Sequence, residues 1–300
     1  VQTCALPISL LKLVRKSLRL GKGGNPLYGL AYAAEAALLA RWMFARKVDT
    51  LHVHFGNSGA TVGMLVKHLT QCHLSYTIHG PDEFDDVPGQ HLALKMQAAD
   101  RVICISQFAK SQLMRISHPD HWHKFQVCRL GVDPAQFTFS QRPLDKTRLD
   151  ILSVGRLTPA KAQVLLVHAC ALLKDQGRAF HLTLVGDGPD RPHVEAAIAQ
   201  HQLGDYVTLT GALNQQAVRA HFEKADIFVL ASLAEGIPVV LMEAMSSGVP
   251  CVSTPVNGIP ELIQHERTGL MATPGDVESL AHQLQRLMDD PPLRRDLARA

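Results

Sequence analysis

Two carboxylates, Glu235 and Glu243, stand eight positions apart around Gly236-Ile237-Pro238-Val239-Val240. The apolar run Ala225-Asp226-Ile227-Phe228-Val229-Leu230 before them reads as a buried parallel strand. Val239 to Ser247 reads as a helix, stopped by Gly248 and Pro250. Pro238 fits the first helical turn, where its missing N–H costs nothing. The N–H groups of Val239, Val240 and Leu241 are then free at the carboxyl edge of a sheet, the usual place for a phosphate. A carboxylate repels phosphate but accepts two hydrogen bonds at once, which suits a vicinal diol. Amides for a phosphate, flanked by two acids for hydroxyl pairs, describe a site for a nucleotide-sugar.

Other residues are weighed by the same chemistry. Arg156 and Lys161 share one strand-to-helix loop, Gly155-Arg156-Leu157-Thr158-Pro159-Ala160-Lys161. Two cations there neutralise a diphosphate and stabilise the charge it gains as a leaving group. His79 ends the predicted strand 74–78. His52 and His54 alternate along a strand and face one side; with no third ligand they read as structural. His118, Asp120, His121 and His123 fall in a proline-containing loop and read as solvated rather than metal-binding. Asp82-Glu83-Phe84-Asp85-Asp86 reads as an acidic loop. Gly186-Asp187-Gly188-Pro189-Asp190-Arg191 begins like a dinucleotide fingerprint, but Arg191 stands where the third glycine belongs and Glu195 falls too early for the ribose acid. That argues against a nicotinamide cofactor.

Alternating strands and helices must position these groups. Leu10 to Leu20 reads as a basic amphipathic helix, which either lies on an anionic membrane surface or is an ordinary surface helix. Tyr28 to Arg46 reads as a long, mostly buried helix. From Thr50 the pattern becomes strand 51–55, helix 58–69, strand 74–78, helix 92–98, strand 101–105, a helix capped by Ser106, and strand 125–129. A second round opens with strand 149–154 and continues through strands 180–185 and 207–211, a helix from Asn214 to Glu223, the Glu235–Glu243 element, and strand 249–253. Asp276 begins the last helix visible. This is the doubly wound α/β pattern, in which ligands gather at the carboxyl ends of the strands.

The setting Ser232-x-x-Glu235-Gly-Ile-Pro, then Glu243-Ala-Met-x-x-Gly248-x-Pro250, resembles the signature of family-4 retaining glycosyltransferases with the GT-B fold. Gly155-Arg156-Leu157 with Lys161, Gly131-Val132-Asp133, Thr77-Ile78-His79-Gly80 and Asn257-Gly258-Ile259-Pro260-Glu261 are similar to further segments of that family. The likeness covers about 51–285. It implies two facing Rossmann-like domains with parallel sheets, the first holding the acceptor and the second the donor. It further implies that His79 and Glu235 contact the donor sugar as catalytic residues. Donor binding would fall to Arg156, Lys161, Gly236, Ile237, Val239, Val240 and Glu243, with Glu243 on the ribose. The resemblance implies no metal and no cofactor, the nucleotide-sugar being a UDP- or GDP-linked substrate. One departure stands out: Ala162 replaces the glycine that usually follows the lysine. The His-Phe-Gly and Tyr-Thr-Ile-His-Gly-Pro-Asp segments look most like enzymes of bacterial exopolysaccharide or colanic-acid-type assembly. Those would imply a saccharide or lipid-linked saccharide acceptor and a cytoplasmic protein peripheral to the inner membrane face. The alternative is a non-catalytic GT-B module that binds a nucleotide-sugar or a partner.

Composition is that of a soluble globular protein with enough apolar content for a sizeable core, and it narrows the classes. Three hundred residues allow one large or two ordinary α/β domains, and a formal net charge of +3 leaves no nucleic-acid footprint. The six cysteines include no C-x-x-C pair, which favours reduced thiols. The expected layout is a non-native scar over 1–9, an acceptor-side domain over 10–139, a linker over 140–148 and a donor-side domain over 149–300. With no initiating Met and no cap at Ala300, the chain reads as a fragment lacking both ends.

Overall fold

The computed structural model describes residues 6–139, 143 and 145–300, with side chains from Lys12 onward. Residues 1–5 of the expected scar, and residues 140–142 and 144 of the expected linker, lie outside the described residues. The chain forms two compact units, Val1–Arg129 and Leu130–Ala300.

The first unit begins with helices α1 (Leu6–Ser17) and α2 (Pro26–Arg46). Thus α1 starts and ends earlier than the basic pattern predicts, with Pro7 in its first turn. Helix α2 is not mostly buried as expected, since Tyr28, Leu30, Leu38, Trp42 and Phe44 are exposed and only one side of it packs inward. Strand β1 (Thr50–His54) and helix α3 (Ser58–Thr70) follow, then β2 (His73–Ile78), the single turn α4 (Asp82–Asp85), α5 (Leu92–Ala98), β3 (Arg101–Cys104), α6 (Gln107–Ile116) and β4 (Phe125–Val127). The strands pair in parallel in the order β1-β2-β3-β4. Asn57 caps α3 by accepting from Gly59 N–H at 3.1 Å, and Ser106 caps α6 by accepting from Ala109 N–H at 2.9 Å. Leu74, Tyr76, Ile78, Val102, Cys104 and Phe125 bring the strands into one core with Leu92, Met96 and Leu113. A second cluster joins Leu13, Tyr32, Ala36 and Met43 to Leu65 and Val66 of α3. The acids at 82–86 are not a plain loop, as expected from sequence: α4 carries Glu83 inward, only 5% exposed.

The second unit comprises β5 (Leu149–Val154), α7 (Gln163–Asp175), β6 (Phe180–Val185), α8 (Arg191–Gln200), β7 (Val207–Gly211), α9 (Gln215–Lys224), β8 (Ile227–Val229), α10 (Val239–Ser246), β9 (Cys251–Ser253), β10 (Leu270–Met271), α11 (Val277–Asp289) and α12 (Pro291–Arg299). Its six parallel strands run β10-β9-β8-β5-β6-β7. From β5 the chain builds outward through β6 and β7, then returns to β5's other side for β8, β9 and β10. The reversal makes a switch point between β5 and β8. Cores lie on both faces of this sheet: Leu166, Cys170, Leu173, Leu280 and Leu284 pack on one, Phe222, Leu241, Ala244 and Ile259 on the other. The helix beginning at Asp276 is not the last. It ends at Asp289, Asp290 accepts from Leu293 N–H at 2.9 Å, and Pro291 and Pro292 start α12, where lost N–H groups are harmless.

Candidate functional site

In a doubly wound sheet the crevice at the switch point is the place for a ligand, and two loops meet there. One follows β5 and carries Arg156 and Lys161; the other follows β8 and carries Glu235, Gly236 and Ile237. Both N–H groups of Leu233 and Ala234 donate to Ala160 O, at 2.8 and 3.3 Å, which joins the loops directly. A Cβ on Gly258 would come within 2.1 Å of Gly236 O, so the segment after β9 presses on the same turn. The glycines of the near-fingerprint serve similar packing. A Cβ at Gly186 would lie 2.0 Å from Gly155 O, and one at Gly188 would lie 2.2 Å from Leu157 O. They allow close approach of the loop after β6 to the loop after β5, which is why glycine stands there without a dinucleotide fingerprint.

Glu235 is 5% exposed, and its Oε1 accepts from Lys161 Nζ at 2.5 Å and from Ser232 Oγ at 2.7 Å. Thr254 Oγ1 donates to Ser232 O at 2.5 Å, tying the serine to the end of β9. Sequence separates the tasks of Lys161 and Glu235, one for phosphate and one for sugar; the structure makes them an ion pair. The ammonium still has two N–H donors beyond this bond. Arg156 is exposed, and its carbonyl accepts from Gln163 Nε2 at 3.0 Å. Ala162 adopts φ +50°, ψ +39°, the left-handed conformation for which glycine is best suited. The residue that departs from the family pattern therefore sits at a position that glycine fits without strain.

Helix α10 starts at Val239, as the sequence reading has it, and ends at Ser246, one residue earlier; only Pro238, expected in the first turn, lies outside the helix. Pro238 is its N-cap, with no side-chain capping bond, and Val239 is its first residue. Leu241 N–H is not free, because it donates to Pro238 O at 3.1 Å. The amide cradle thus reduces to Val239 and Val240. Glu243 lies one turn into the helix and is half-buried; burial holds its carboxyl above the usual range, against the opposing pull of Arg219. Arg219, on α9, escapes sequence reasoning because it belongs to no motif. Its guanidinium lies 5.3 Å above the Phe137 ring and donates to Gln136 Oε1.

His79 belongs to the first unit, at the carboxyl end of β2. Its Nε2 pairs with His54 Nδ1 at 3.1 Å, and its ring stacks on Phe55 with centroids 4.3 Å apart. His52 bonds Ser75 Oγ at 2.7 Å and Thr77 Oγ1 at 2.9 Å. Burial, reinforced by His54, holds the His79 imidazole below its ordinary pKa, so it is neutral at neutral pH. Glu83 accepts from the N–H groups of His79 at 2.7 Å and Gly80 at 2.5 Å, and also from Gly56. Sequence places Glu83 in an acidic loop; its real task is to bind three backbone amides. Fully buried Lys95, pulled down to about 8 by burial, donates to Gly56 O and Asn57 O, both at 2.7 Å. No sequence signal separates Lys95 from an ordinary helix lysine. No group of three or more His, Cys, Asp or Glu among the described residues is arranged to hold a metal ion.

Two parallel sheets with helices packed on them, and a switch point where acids and cations gather around a helix start, make this an α/β protein, and its structural likenesses are to proteins of GT-B fold. The model of glycosyl transferases group 1 matches residues 135–300, more than half the chain, and that of glycosyltransferase family 4 matches residues 13–136. The chain belongs to the group 1 glycosyl transferases. It is 35% identical over 80% of its length to the amylovoran biosynthesis glycosyltransferase AmsK of Erwinia amylovora, covering 61% of that protein. It is 34% identical over 79% of its length to Escherichia coli WcaL, which is named for colanic acid biosynthesis, again covering 61%. The chain thus spans less than two thirds of these relatives. Anabaena HepE, solved with UDP and glucose, superposes with a TM-score of 0.77 at 21% identity, over 88% of this chain and 74% of that one. Sucrose-phosphate synthase from Thermosynechococcus elongatus gives 0.75 at 23% identity, over 88% and 70%.

Proposed function

We propose that the whole protein is a retaining glycosyltransferase that moves a sugar from a UDP- or GDP-linked donor to a hydroxyl of a saccharide or lipid-linked saccharide. The observation that carries this reading is the set at the switch point: Glu235 paired with Lys161, Arg156 on the adjoining loop, and the α10 start with Glu243. Arg156, the remaining donors of Lys161 and the amides of Val239 and Val240 bind the diphosphate, with Gly236 and Ile237 shaping the turn. Glu243 accepts from the ribose hydroxyls, and Glu235 and His79 orient the sugar. As the bond from the anomeric carbon to the phosphate oxygen breaks, its electron pair stays on that oxygen. The acceptor oxygen bonds to the same face of the anomeric carbon, and its proton passes to the departing phosphate oxygen. Arg156 and Lys161 offset the negative charge that builds there, and they are worth most where they act only as it develops.

AmsK and WcaL, by their names, make a surface polysaccharide the favoured setting. Lys12, Arg15 and Lys16 are exposed along α1, with Arg19 exposed just beyond its end, while Leu13 and Ser17 are buried, which supports contact with an anionic inner membrane face from the cytoplasm. Among the described residues no helix is long and apolar enough to cross a membrane. The test is NMR of the product that the complete protein forms from UDP- or GDP-hexoses and lipid-linked saccharide. The donor's anomeric configuration is expected in the product. An inverted product contradicts retention, and tight nucleotide binding without any turnover favours the non-catalytic module.

A further inference from the structure

Directly after β1, Phe55 adopts φ +68°. A bulky side chain at positive φ is a genuine outlier, and such strain persists only where the surroundings enforce it. Here the surroundings do so explicitly. The next residue, Gly56, has its N–H held by Glu83 and its C=O held by Lys95, two side chains 5% and 0% exposed. Glu83 also binds the amides of His79 and Gly80, so one buried carboxylate fixes both chain segments that bring Phe55 and His79 together. A phenylalanine held at such cost would be expected to fill a core. Instead the residue is 46% exposed, with the His79 ring stacked at 28° to its ring and His54 bonded to His79.

We propose that Phe55 is a sugar-contacting residue: its exposed ring stacks on the apolar C–H face of a pyranose, beside imidazoles of His54 and His79 that bond its hydroxyls. The electron-rich face of an aromatic ring suits polarised C–H groups, and a stacked ring with polar neighbours is how a wet, hydroxyl-rich ligand gains apolar contact. The Glu83–Lys95 clamp positions the ring and does not touch the ligand. The inference rests on the glycosyl-transfer reading, and the pyranose is either the acceptor's or the donor's.

The experiment uses the 300-residue chain and its Phe55→Gly and Phe55→Tyr variants. Saturation-transfer NMR reads binding of methyl α-glucoside, α-galactoside and α-mannoside; calorimetry reads UDP, GDP, UDP-glucose and GDP-mannose. Glycine accepts the left-handed backbone, so Phe55→Gly keeps or raises the melting temperature. It should weaken at least one sugar-bearing probe by about tenfold, as for loss of an aromatic anchor. Phe55→Tyr, which keeps the ring, should bind close to wild type, and bare UDP or GDP should be unaffected in both. Loss confined to the methyl glycosides assigns the face to the acceptor; loss confined to the nucleotide-sugars assigns it to the donor. The proposal is overturned if Phe55→Gly binds every probe like wild type, or if wild type binds bare nucleotide but no methyl glycoside, and no nucleotide-sugar more tightly than its bare nucleotide. It is also overturned if Phe55→Gly melts far lower with affinities unchanged, which would make the ring structural. If no bare nucleotide binds while the Phe55 result holds, the donor-site reading falls and the sugar face stands.

Discussion

At the scale of the residue, Glu235 and His79 illustrate how neighbours set what a side chain can do. Glu235 is held by Lys161 and Ser232 in a buried position, so the carboxylate is oriented before any ligand arrives. Removing one member of such a pair costs far more than the pair itself contributes, because the other is left buried and unpaired. His79 is kept neutral by burial and by His54. Its pKa is depressed in the folded chain, as is that of His52, again through burial and then His54. The unfolded chain therefore takes up protons first as pH falls, and stability present above the ordinary value of 6.5 is lost as pH drops through the folded values. Melting temperature should fall on acidification below about 6.5, and His79→Asn should flatten that slope. A slope identical in wild type and variant would remove His79 from the account. Sequence exposed His79 and Glu235 because each ends a strand or begins a turn in a motif. It concealed Glu83, Lys95 and Arg219, whose partners are backbone atoms or residues far along the chain.

At the scale of the element, loops at the carboxyl edge are shaped by backbone rather than by side-chain chemistry. Ala162 closes the loop after β5 in the left-handed conformation and at the same time starts α7. An L-residue there costs about 1–2 kcal/mol, partly offset by glycine's greater freedom in the unfolded chain. Ala162→Gly should therefore stabilise the second unit by about 1 kcal/mol, read as a higher denaturant midpoint with unchanged slope. A lower midpoint would mean that the buried methyl outweighs the strain. Strands such as β5, and the helices with Asn, Ser or Asp caps, were legible from periodicity and capping. Leu270–Met271 was not, because two residues carry no period, and α12 was not separated from the helix expected from Asp276. Pro238 belongs to the same class: proline announces a helix start, but whether it is cap or first residue depends on backbone angles that the sequence leaves open.

At the scale of the molecule, each unit has its own cores and its own part of the proposed chemistry: His79 and Phe55 in the first, and the Arg156, Lys161, Glu235 and Glu243 set in the second. The parallel α/β class followed from alternating patterns, whereas the strand order that creates the switch point followed only from the structure. The central claim is that the second unit binds a nucleoside diphosphate at that switch point. Thermal melting with UDP, GDP, ADP, dTDP and CMP, without metal, tests it directly on wild type, Glu243→Ala and Arg156→Ala. A ligand at a hundred times its dissociation constant adds roughly 2.7 kcal/mol to the state that binds it. One diphosphate should raise the wild-type melting temperature, and both substitutions should abolish the rise while leaving the unliganded transition in place. A well-folded chain whose melting no nucleotide shifts, or an undiminished shift in both variants, would contradict the account.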